Sequence, residues 1–169
     1  MQINRAIVFI ALIFCSCTQK IYVVRHAEKA TVSGNNNMMS QDPPLSEAGQ
    51  KRAEDLREVL KSKKIGYIFS TNFIRTRSTA EPTRAHFGIQ IENYAPRPDD
   101  NFIHKVTGLK KNVLIVGHSN TIDDVVNKIC GETKVPGDLD ESIYDNLYIL
   151  KRQGKKWKFE NKKYGSPTP

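Results

Sequence analysis

The chain has 169 residues, 38% of them hydrophobic, with three cysteines, a formal charge of +8 and a pI near 9.4. That length suits one continuous core and argues against several domains, and three cysteines do not make a disulfide framework. The basic balance is compatible with a polyanionic or membrane-surface partner and carries no information about fold.

Met1 to Ser16 combine one basic residue, Arg5, with the apolar run Ala6 to Phe14. This is signal-peptide length, too short to span a bilayer. Phe14-Cys15-Ser16-Cys17 resembles the lipobox of bacterial lipoproteins, in which a small residue precedes a cysteine that is lipidated and becomes the mature amino terminus. Ser16 is small and Phe14 is not, so Cys17 is the expected lipidation site and 1–16 the signal peptide. An ordinary secretory signal is the competing reading. Cleavage before Cys17 removes Arg5 and takes the charge from +8 to +7. Only Thr18, Gln19 and Lys20 then precede the domain over 21–164, and three extended residues reach about 10 Å. An anchored domain would sit almost on the membrane, facing the periplasm or the cell exterior.

Ile21 to Val24 is a buried-strand run that stops at Arg25-His26-Ala27-Glu28-Lys29. In open α/β sheets ligands bind beyond the carboxyl ends of strands, which is where Arg25 and His26 stand. Ala30 to Pro44, with Gly34, Asp42, two prolines and several asparagines, reads as a loop beside that site. Ser46 is a helix N-cap. Ala53, Leu56, Val59 and Leu60 form the apolar face of the helix it opens, with Lys51, Arg52, Asp55, Arg57 and Glu58 as a solvated face.

Tyr67-Ile68-Phe69 is a strand ending in Ser70-Thr71, followed by a helix from about Phe73 that carries Arg75 in its first turn. Arg77 lies roughly 200° around that helix from Arg75, so the two do not share a pocket. Pro82 is expected to kink or divide the helix before His86, a surface histidine. Ile89 to Ile91 reads as a short strand. A helix from Asp99 buries Phe102, Ile103, Val106 and Leu109 and leaves His104 in solvent. Val113 to Val116 is another buried strand, and it ends in Gly117-His118-Ser119, where the glycine gives the backbone room. Ile122, Val125, Val126 and Ile129 mark a helix ending near Gly131, with Cys130 a small buried hydrophobe. Val135 to Asp140 is a loop. Leu147 to Arg152 and Lys156 to Glu160 flank Gln153-Gly154-Lys155 as a β-hairpin, and 165–169 is a frayed tail. The order of elements indicates a three-layer α/β/α sandwich.

Arg25-His26-Ala27-Glu28 after the first strand, Ser70 to Thr76 with Thr79-Ala80-Glu81 behind it, and the late Gly117-His118-Ser119 resemble the histidine phosphatase superfamily. Its members include phosphoglycerate mutases, acid phosphatases and small phosphohistidine phosphatases. Pro44 to Gly49 resembles the family's opening of the first helix, and the likeness covers roughly residues 21–152. It implies a mostly parallel sheet with an antiparallel edge. It also implies that His26 is the nucleophile, that Arg25, Arg75 and His118 hold the phosphate, and that no metal or organic cofactor is used. Glu28 and Ser119 are further candidate substrate contacts. Members that use a general acid carry it between the second arginine and the late histidine, where Asp99 and Asp100 are the candidates. Either could equally be a helix cap.

The residue types suit the chemistry. Phosphoryl transfer needs an in-line nucleophile and dense positive charge, and an arginine fork donates two parallel hydrogen bonds to phosphate. Two nearby cations help keep an imidazole neutral and nucleophilic. Chemistry alone leaves open which histidine attacks. His26, His86, His104 and His118 have no metal-ligand spacing.

The expected function is a phosphatase acting on phosphomonoesters or a phosphoprotein through a phosphohistidine at His26. A phosphate-binding or sensing lipoprotein without turnover is the alternative. A phosphomutase is disfavoured, since the interval from Arg75 to His118 leaves little room for a water-excluding lid. Lys151, Arg152, Lys155, Lys156, Lys158, Lys162 and Lys163 face only Glu160 in the hairpin region. They read either as protection of an edge strand or as a surface for anionic headgroups, with nucleic acid not expected.

Overall fold

The computed structural model describes residues 18–31 and 41–169. The expected signal segment 1–16, the expected lipidation site Cys17 and the middle of the Ala30 to Pro44 loop lie outside the described residues.

Among the described residues, six strands form one sheet: β1 (Lys20–Arg25), β2 (Ile65–Ser70), β3 (Ile91–Asn93), β4 (Asn112–Gly117), β5 (Asn146–Gln153) and β6 (Lys156–Lys163). Their spatial order is β3-β2-β4-β1-β5-β6. The pairs β3/β2, β2/β4 and β4/β1 are parallel, and β5 and β6 add an antiparallel edge. Among the described residues, four helices, α1 (Glu47–Leu60), α2 (Ile74–Phe87), α3 (Asp100–Gly108) and α4 (Ile122–Cys130), cover the two faces.

Strand alternation builds two cores. Ile21, Val23, Val113 and Ile115 point to one face and pack with Ile103 and Val106 of α3 and Val125, Val126 and Ile129 of α4. Tyr22, Val24, Leu114 and Val116 point to the other and pack with Leu56 and Leu60 of α1 and Ala80 of α2. Strands buried on both sides must be apolar at every position, which is why Ile21 to Val24 and Val113 to Val116 read as unbroken runs. Ser46 caps α1 by accepting from the Gly49 amide, as expected.

Several expectations are corrected. Pro82 does not divide its helix, because the buried face of Thr76, Thr79, Ala80 and Thr83 continues across it and outweighs one missing amide bond. The short strand begins at Ile91 rather than Ile89, since left-handed Gly88 closes α2 and β2 offers its first partner, Ile68, to Ile91. Val59 is 39% exposed, beyond the edge of the apolar stripe. Arg52 belongs to no solvated face, being only 3% exposed. Cys130 is half-buried. The tail is tied down rather than frayed: the Ser166 carbonyl accepts from Arg52, and the Thr168 amide donates to Asp145.

Candidate active site

Parallel pairing of β1 with β4 puts Arg25 opposite Gly117, and the His26 amide donates to the Gly117 carbonyl at 2.9 Å. The residues that follow each strand are thereby brought together, with the His26 and His118 rings 5.6 Å apart in an edge-on arrangement. Gly117 must lack a side chain here. A Cβ at that position would lie 2.6 Å from the Tyr94 hydroxyl and 2.8 Å from Ile122. At the end of β2, Thr71 Oγ1 sits 2.9 Å from His118 Nε2 and fixes that ring.

His26 Nδ1 lies 2.8 Å from the Ala27 carbonyl, which can only accept, so Nδ1 carries the proton and Nε2 keeps a free lone pair. The ring is 3% exposed, not the solvent-facing side chain that a strand-end position suggests. Burial pushes its pKa down to about 3, with the Ala27 contact opposing and Arg25, Arg75 and His118 adding to the drop. His118 is lowered to about 4, again first by burial and then by Arg75 and Arg25. Desolvation, more than the arginines, keeps both imidazoles neutral.

Arg75 stands in the first turn of α2, its guanidinium over the Phe73 ring at 4.5 Å and its Nη1 3.0 Å from Asp42. Both Asp42 oxygens also accept from the Ile74 amide, so this loop carboxylate caps α2 and orients Arg75 together. Arg77 turns away to Asn93. Arg25 is 1% exposed and is held from the segment after α4: it donates to the Asp140 and Ile143 carbonyls at 3.0 Å, pairs with Glu141 at 2.7 Å and lies 4.1 Å over the Tyr144 ring. The Nε–H groups of Arg25 and Arg75 are both buried, with no hydrogen-bond partner among the described residues. Burial leaves such donors in need of an acceptor.

A pocket of about 500 Å³ opens at these strand ends, lined among others by His26, Lys29, Arg75, His118, Ser119 and Glu141. His26, Arg75, His118 and Ser119 are thus brought to one cavity, whereas Arg25 does not line it. Ser119 donates its hydroxyl to Glu141, whose carboxyl is held below its usual range first by that bond and then by Arg25 and Lys29.

Three candidate residues are elsewhere. Glu28 does not line the pocket, because Arg52 grips its carboxylate at 2.7 to 2.9 Å. Asp99 is consumed as the N-cap of α3, accepting from the Phe102 amide, and Asp100 pairs with Lys128 at 3.1 Å. Neither aspartate is among the residues lining the pocket. Sequence reading missed Lys29, Asp42, Glu141 and Tyr144. Lys29 directly follows the Arg-His-Ala-Glu block, which was a usable signal; the others come from irregular segments without one.

Residues 21–95 match the family model described as histidine phosphatase superfamily (branch 1). A Photorhabdus laumondii protein named probable phosphoglycerate mutase GpmB is 34% identical over 72 residues, 43% of this chain. The match covers only 34% of that relative. Among solved structures, the protein histidine phosphatase SixA complexed with tungstate superposes with a TM-score of 0.65 at 16% identity, over 86% of this chain and 97% of that one. Phosphoglycerate mutase from Bacillus anthracis gives 0.58 at 15% identity, over 86% and 92%. At such identities the likeness is one of fold.

Proposed function

We propose that this small single-domain chain of the histidine phosphatase superfamily is a phosphatase that works through a covalent phosphohistidine at His26. The observation that carries this reading is a neutral His26, its Nε2 lone pair left free by the Ala27 bond, at a pocket beside Arg75 and His118. Nε2 attacks phosphorus as the bond to the leaving group breaks on the opposite side, and water then attacks the phosphohistidine to release phosphate and restore His26. Arg75 and His118 are assigned to the phosphate oxygens and Ser119 to a secondary contact, while Arg25, which does not line the pocket, supplies positive charge behind it. The two Nε–H donors that have no partner among the described residues suit an anion at this site.

The leaving group is the distinguishing feature. Ser119 and Arg25 hold Glu141 toward its ionised form, and Asp99 and Asp100 are engaged elsewhere, which leaves Asp138 as the one other carboxylate among the residues lining the pocket. With no better-placed acid, substrates with a good leaving group, an aryl phosphate or a phosphorylated histidine of a protein, are favoured over plain alkyl phosphates. SixA is described as a protein histidine phosphatase, which accords with that preference. A phosphate-binding or sensing role without turnover would use the same cradle, and a mutase would need a water-excluding cover over the pocket.

The test is a substrate panel run with the full chain: p-nitrophenyl phosphate, a phosphohistidine protein and a sugar phosphate, with tungstate as a competing oxyanion. Release of phosphate in that order, together with an acid-labile phosphoryl group on His26, is the expected result. If the chain neither releases phosphate nor becomes labelled, and still binds tungstate, the sensing role replaces the enzyme.

A further inference from the structure

The face of the sheet that carries Tyr22 and Val24 is covered by α1 and α2 only in part. Beyond α1, over β5 and β6, it forms a groove of about 340 Å³ whose lining includes Lys20, Lys63, Lys151, Lys158 and Lys162 against one carboxylate, Glu160. Tyr22, Leu147, Ile149 and exposed Val59 supply its apolar floor and wall.

The register explains why this charge is unusual. Lys20 of β1 lies opposite Lys151 of β5, and Lys151 lies opposite Lys158 of β6. Three lysines therefore form one row across three adjacent strands on one face. Like charges placed directly opposite destabilise a sheet. Among the described residues no ion pair meets the amines of Lys20, Lys63, Lys151 or Lys158, and Lys162 alone has Glu160, at 3.3 Å.

Protection of an exposed edge does not account for the row. Edge lysines act on the outermost strand, which is β6, whereas β1 and β5 are interior strands. A row that costs stability and blocks no edge has another use. We propose that this groove docks the protein on an anionic lipid surface, the lysine amines meeting headgroup phosphates above the apolar floor.

A bilayer fits better than an acidic protein because of where the chain enters. Lys20 is both the first residue of β1 and a member of the row. A lipid on Cys17, the expected anchor, would be three residue steps from Lys20, which span about 10 Å. An anchored chain would thus keep the row within reach of the membrane, where basic side chains near anionic lipid are attracted over a Debye length.

The experiment is amine footprinting of the full chain mixed with vesicles of pure phosphatidylcholine, with vesicles containing 30% phosphatidylglycerol, or with soluble polyglutamate. Lys20, Lys63, Lys151 and Lys158 are expected to be protected at least threefold on the anionic vesicles relative to neutral ones. Lys105 and Lys128, on α3 and α4, serve as internal references. The protection should fade in 0.5 M salt and disappear from Lys63 in the triple variant K20Q/K151Q/K158Q, whose fold is checked by its thermal unfolding. Equal labelling on the two vesicle types overturns the proposal, whether or not the chain is bound to both. Protection by polyglutamate alone overturns it in favour of an acidic protein partner.

Discussion

Arg52 of α1 and Glu28 of the segment after β1 form a forked ion pair, Nη2 at 2.7 Å and Nε at 2.9 Å from the carboxylate, with the guanidinium 3% exposed. The same guanidinium donates to the carbonyls of Tyr164 and Ser166. One side chain therefore joins the His26 segment, the first helix and the carboxyl-terminal tail. Removing one partner of a buried pair typically costs about 3–5 kcal/mol. Arg52→Met is expected to fall near the lower figure, because Glu28 retains some solvent contact, and to reduce activity by moving Glu28 relative to His26. Urea unfolding and kcat/KM of the variant check both, and a variant as stable as the parent would remove the pair from any structural role.

Protonation of the two histidines sets a pH dependence. Their folded pKa values, about 3 and about 4, lie below the ordinary 6.5, so unfolding takes up protons between those limits. Stability is therefore full above pH 6.5 and declines as pH falls, by up to about 1.4 kcal/mol per pH unit for each imidazole. Urea midpoints at pH 7, 5.5 and 4.5 should fall in that order, with a shallower trend in His26→Gln/His118→Gln. The acid limb of kcat/KM for an aryl phosphate should contain no step near pH 6.5 from His26.

His26→Ala should abolish turnover and the acid-labile label. Since His26 is buried, a modest loss of stability should accompany this, so folding is confirmed by the retained binding of tungstate in calorimetry. Turnover in His26→Ala would transfer the nucleophile's role to His118.

Arg75→Lys is expected to lower kcat/KM by about 10²-fold, because an ammonium cannot reproduce a planar fork already set by Asp42 and Phe73. Arg77→Lys should change it by less than about twofold, since Arg77 bonds to Asn93. Equal losses in the two variants would show that both guanidiniums serve the site.

Gly117→Ala places a methyl against the Tyr94 hydroxyl and Ile122, and overpacking of this kind costs about 1–3 kcal/mol. Tyr94→Phe in the same chain opens part of that space and should recover some of the loss, as measured by thermal unfolding.

The apolar runs and their stops were sufficient to find β1, β4 and the histidines that follow them, because strands buried on both faces leave an unbroken apolar signature. The first turn of α2 was also legible, as helical geometry separates Arg75 from Arg77. Arg52 was not. Helical periodicity assigns a side to a residue but cannot reveal that a long charged side chain folds inward onto a carboxylate 24 positions earlier. Asp99 and Asp100 had the right place in the chain for an acid, yet α3 used the first as its cap and α4 supplied Lys128 to the second. The hold of Asp42, Glu141 and Tyr144 on the two arginines depends on irregular segments, which have no period to read.

Strand β1 carries a lysine at its first residue and the Arg25-His26 pair at its end, five residue steps away. At about 3.3 Å per step this is a rigid spacer of about 17 Å. The groove that holds the lysine row follows the strands on one face of the sheet, from Lys20 to the level of Leu147 and Lys162. On a chain docked there the spacer would run along the headgroups, setting the pocket beside the docked face and beyond the strand ends rather than beneath the groove.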